Sequence, residues 1–84
     1  MVNVYLFIEL LRAASAGEVV DKLKALELGE CKLANVVVLA DEKLVAQLDC
    51  QTTGQANTAI LEKISPVEGV VQTNIIAAVR PVKK

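Results

Sequence analysis

The feature that most restricts this chain is a doubled pattern: an alternating apolar segment, a capped amphipathic segment and a second apolar run, then the same elements again within 84 residues. Residues 2–9 alternate, with Val2, Val4, Leu6 and Ile8 on one side and Asn3, Tyr5, Phe7 and Glu9 on the other, which is the period of a strand. Ser15-Ala-Gly-Glu18 has the S-x-x-E form of a capping box. Val19, Val20, Leu23, Leu26 and Leu28 follow at helical spacing, with Asp21, Lys22, Lys24 and Glu27 outside. A helix is therefore expected over 16–28, ended by Gly29.

The second half repeats the order. Lys32 to Leu39 is rich in β-branched residues, Ala40-Asp-Glu-Lys43 is a polar tight connection, and Leu44 to Asp49 alternates, so these residues predict a β-hairpin. Thr52-Thr-Gly-Gln55 is a second capping signature, ahead of Ala56, Ile60, Leu61 and Ile64 on a helix over 53–64. Ser65-Pro-Val-Glu-Gly69 breaks that helix, Val70 to Val79 supplies a last strand, and Pro81 stops further pairing. Two similar halves of about forty residues predict a split βαβ repeat. The expected fold is α+β, a ferredoxin-like βαββαβ sandwich over residues 1–84 as one domain, with two helices on one face of a four-stranded antiparallel sheet.

Such a sandwich leaves the other sheet face open, and several of Tyr5, Phe7, Val45, Ile76 and Ala78 are expected there. Hydrophobic residues make up 54% of the chain, above the roughly 45–50% of ordinary soluble domains, yet there is one Tyr, one Phe and no Trp. A small aliphatic domain of this kind has more apolar surface than one core encloses. Face-to-face packing of two copies is therefore the expected use of the open face.

Other classes are excluded by what is missing. The formal charge of −1 is scattered, with no basic stripe, which argues against direct nucleic-acid binding. The longest apolar runs, Val36-Val-Val-Leu-Ala40 and Ile75-Ile-Ala-Ala-Val79, have strand length and do not span a membrane. The N-terminal residues lack a basic n-region and a small-x-small cleavage site, so a cytoplasmic location is expected. Without His, and with Ser15 and Ser65 at capping or turn positions, no acid–base pair is available; the chain does not read as an enzyme, and no cofactor or metal is expected. Cys31 and Cys50 are expected as free thiols, either buried small residues or, through the hairpin, a redox pair.

Small-molecule contacts are restricted to two places. Gln72, Thr73 and Asn74 put three consecutive hydrogen-bonding side chains into an aliphatic strand, and the hairpin from Asp41 to Lys43 is polar. Asp41, Lys43, Thr73 and Asn74 are the candidate ligand-binding residues.

Over its whole length the chain resembles the ligand-binding and oligomerisation domain of the Lrp/AsnC (feast/famine) transcription regulators, in the form that occurs without its helix-turn-helix. The resemblance is carried by the strand Val4 to Ile8, by Val20-Asp-Lys-Leu-Lys-Ala-Leu26, by the hairpin ending Lys43-Leu-Val45 and by Ile64 through Val82 with Val-Glu-Gly-Val-Val-Gln-Thr. It implies a homodimer through the sheet faces, assembly into larger oligomers, an amino acid effector bound between dimers, and co-assembly with a full-length regulator. The family's Gly-x-x-Asp hairpin motif has Ala40 and Lys43 at its matching positions, and the second Thr of its Thr-x-Thr is Ile75. Glu42-Lys-Leu-Val-Ala-Gln-Leu-Asp49 and Val67-Glu-Gly-Val-Val71 also resemble the small cytoplasmic chaperones of periplasmic nitrate reductase maturation. That resemblance implies a monomer binding a twin-arginine signal peptide on its open face.

Overall fold

A computed structural model describes residues 1–39 and 43–80. The elements in chain order are β1 (Val2–Leu10), α1 (Ala16–Ala25), β2 (Lys32–Leu39), β3 (Lys43–Cys50), α2 (Thr53–Ala59) continued by a π-helical turn (Ile60–Ile64), and β4 (Val70–Val79). The strands form one antiparallel sheet in the order β2-β3-β1-β4. The architecture is α+β, a four-stranded antiparallel sheet with two helices, and is compatible with a ferredoxin-like fold.

The core follows from strand alternation. Val2, Val4, Leu6, Ile8 and Leu10 of β1 and Leu44, Ala46, Leu48 and Cys50 of β3 are buried. They pack with Val19 and Leu23 of α1 and with Ala56, Ala59, Ile60 and Ile64 of the second helical segment. Both helices thus lie on the face that these strand residues share. Cover is centred on the inner strands β1 and β3. On the edge strands the same side opens to solvent: Val38, opposite buried Leu44, is 53% exposed, and Ile75, opposite buried Leu6, is 44% exposed.

Helix ends show where local signals were followed and where packing overrode them. Thr52 and Gln55 complete the reciprocal capping box, the Gln55 amide donating to Thr52 Oγ1 at 3.1 Å and the Thr52 amide donating to Gln55 Oε1 at 3.1 Å. Ser15 makes only half of one, accepting from the Glu18 amide at 3.5 Å. The first helix stops at Ala25 rather than at residue 28, because Leu26 is extended and its amide donates to the Leu23 carbonyl. This lets Leu28 reach the core from a loop. Gly29 accordingly serves a turn three residues past the helix, at φ 67°, with the Cys31 amide donating to the Leu28 carbonyl at 3.2 Å.

The second helical segment covers the expected residues but widens at its end, where the Ser65 amide donates to the Ile60 carbonyl five residues back at 2.8 Å. Leu61, expected inside, is 69% exposed. At 100° per residue it lies about 100° round from Ile60 and about 60° from Ile64, beyond the edge of the buried stripe. In β4, bulges fall opposite the Tyr5/Leu6 and Glu9/Leu10 steps. Consequently Ala78 pairs with Val4 and shares the helix-side face, which corrects its expected placement on the open face, and Ile76 sits at a bulge with no partner on β1.

Candidate functional site

The open face can be read as rows across the sheet, since cross-strand partners share a face. The row of Val37, Val45, Phe7 and Asn74 is apolar over three strands. Its neighbour on one side is Leu39, Lys43, Glu9 and Gln72, and on the other Asn35, Gln47, Tyr5 and Ala77. Val37 is exposed, Val45 and Phe7 are half-buried, and no other segment of the described residues covers them. The face is therefore an apolar row between two amphipathic ones. The Lys43 ammonium stands 5.8 Å from the Phe7 ring centroid, a cation–π contact that holds the positive charge over this row.

The four candidate ligand residues separate. Lys43 and Asn74 both flank Phe7 on the open face, Lys43 over its ring and Asn74 as its partner on β4. Thr73 pairs with buried Ile8 and so lies on the helix side, where its hydroxyl is 3.2 Å from that of Ser65. Period-2 alternation makes this inevitable for adjacent strand residues. Asp41 lies outside the described residues.

Sequence reasoning missed two features, both near one end of the β2–β3 hairpin. Cys31 and Cys50 form a disulfide, with Cα atoms 4.2 Å apart, instead of remaining as free thiols. The reason lies in a bulge between Leu33 and Asn35: it shifts the pairing by one residue, so that Lys32 faces Asp49 and the two cysteines meet just beyond the ladder. The cysteines lie at nearly matching distances along the two strands, eight residues before Leu39 and seven after Lys43, which was a usable signal. The bulge that completes their alignment left none.

Between the α1–β2 loop and α2 lies a groove of about 530 Å³. Leu28, Gly29 and Glu30 line it from the loop, and Thr52, Gly54, Gln55, Thr58, Ala59, Glu62 and Lys63 from the second helical segment and its start. The side chains of Thr52, Gln55 and Thr58 are engaged within the chain. Gln55 Oε1 accepts from the Gln51 and Thr52 amides at 3.1 Å each, and the Thr58 hydroxyl donates to the Gly54 carbonyl at 3.0 Å. Among the described residues no group of three or more His, Cys, Asp or Glu side chains could hold a metal ion, and no helix is long and apolar enough to cross a membrane.

The chain matches no known family model, no curated protein and no solved structure.

Proposed function

We propose that this chain is an effector-binding and oligomerisation module of the Lrp/AsnC type, working in the cytoplasm on a ferredoxin-like βαββαβ scaffold. Its partners in this reading are a second copy of the chain, a full-length regulator of the same type and an amino acid effector. The observation that carries the reading is the uncovered row of Val37, Val45 and Phe7, bordered by rows that supply hydrogen-bonding groups. Apolar rows of this kind contribute roughly 25 cal/mol for each Å² removed from water, and polar borders fix the register of association.

The same face offers a match for an amino acid. Lys43 provides a cation for a carboxylate, and its cross-strand partner Glu9 provides a carboxylate for an ammonium group, with Asn74 and Gln72 alongside. A ligand selective for the folded state raises stability by RT ln(1 + [L]/Kd). A thermal-shift panel of single amino acids and one twin-arginine peptide tests this. One amino acid should raise the melting temperature, and Lys43→Ala should remove the response. A response to the peptide alone would transfer the chain to the signal-peptide chaperone class, and no response at all would refute the effector site.

A further inference from the structure

The two walls of the groove are consecutive in sequence with the two cysteines. Glu30, on the first wall, precedes Cys31, and Thr52, on the second, lies two residues past Cys50. Among the described residues no hydrogen bond joins 26–31 to 51–63, and the first loop is held by its own short turns and by Leu28 in the core. The Cys31–Cys50 bond is therefore a covalent tie between the segments that carry the two walls. Immediately beyond it the β2–β3 ladder begins, at Lys32 and Asp49, and continues to Leu39 and Lys43. Breaking the bond would leave the loop held only by its own turns and by Leu28, and leave the sheet paired. From this placement the geometry points to a new role: the Cys31–Cys50 disulfide is a reversible redox clamp that sets the shape of the groove between the α1–β2 loop and α2.

The chemistry balances as thiol–disulfide exchange with a dithiol reductant. A thiolate of the dithiol attacks Sγ of Cys31, the less enclosed of the two at 6% residue exposure against 1% for Cys50, and Cys50 leaves as a thiolate. The second thiol of the reductant then displaces Cys31. Two electrons pass to the protein, the two protons of the dithiol end on Cys31 and Cys50, and the reductant closes to a disulfide. Cys31 also lines a second depression, with Lys24, Leu26 and Leu33, that gives a reagent an approach from the loop side.

Hydrogen exchange on the full chain, oxidised and after dithiothreitol, distinguishes a clamp from a structural staple. A clamp requires exchange at residues 28–31 and 51–55 to rise by about tenfold or more on reduction while the β1 amides stay protected, because opening is local. Unchanged exchange in both loops, or a rise that includes β1, would overturn it. The paired substitution Cys31→Val with Cys50→Ala should show the reduced pattern with or without reductant. Should that variant fail to fold, the reduction kinetics of the native chain decide. A rate proportional to dithiothreitol concentration supports the clamp, and a rate capped at that of β1 opening refutes it. This inference does not depend on the effector reading, since neither readout requires a ligand or a second copy.

Discussion

Gly69 is buried at φ 100°, and a β-carbon there would come within 3.1 Å of Val19 Cγ2 and 3.2 Å of Ala14 Cβ. Its carbonyl also accepts the Leu11 amide at 2.8 Å, tying the end of β1 to the start of β4. Gly69→Ala should therefore cost about 1–3 kcal/mol, from backbone strain and crowding together. Urea unfolding checks this, with a lowered midpoint at unchanged slope. Gly29, at φ 67° with open space around it, should lose only about 1 kcal/mol on the same change. Both glycines were visible in the sequence as breaks. What was not visible is which of them carried a steric constraint, since that depends on α1 and the β1–α1 connection packing against the turn before β4. The candidate ligand residues show the same boundary: the identity of Thr73 and Asn74 marked them, but the face each occupies depends on register, and Thr73 is engaged with Ser65.

Capping chemistry is the part of the elements that transferred most directly from sequence, because each cap is a local agreement among four residues. Its strength differs between the two helices. Thr52 and Gln55 exchange both bonds, whereas Ser15 makes a single one at 3.5 Å. Thr52→Ala should cost about 1 kcal/mol of stability and Ser15→Ala distinctly less, measurable as the difference between their urea midpoints. Helix ends were legible less well. The apolar spacing runs on to Leu28, yet the helix stops at Ala25, because an extended Leu26 allows Leu28 to enter the core from the loop. The π-helical turn at Ile60–Ile64 also left no sequence mark; it keeps Ile60 and Ile64 both buried as the chain turns toward β4. Bulges are the third such case. Those in β4 turn Ala78 to the helix side, and the one in β2 brings the cysteines together. Each is a one-residue change in backbone pairing driven by long-range packing, and periodicity cannot register it.

At the scale of the molecule, the order of elements was legible from the switches between period 2 and the helical period, and the sheet order β2-β3-β1-β4 places the two buried strands at its centre. The composition called for more apolar surface than one core encloses. That surplus includes the row through Phe7 on the open face, the exposed helix side of β2 and β4, Leu61 on the helical layer and Leu11 just past β1. The open face is more polar than residue identities alone suggested, since Gln47, Asp49, Asn35 and Gln72 interleave with the aliphatics, and Gln47 donates to Asp49 at 3.2 Å. Association through it should therefore be specific in register rather than a loose hydrophobic contact.

The measurement that bears most directly on the account is the mass of the protein in solution by light scattering at micromolar concentration. Self-association through the open face predicts a mass at least twice the 9.0 kDa of one chain, reverting to 9.0 kDa in a folded Phe7→Glu variant. A native protein that scatters as a single chain would contradict the proposal that this face exists to bind a second copy.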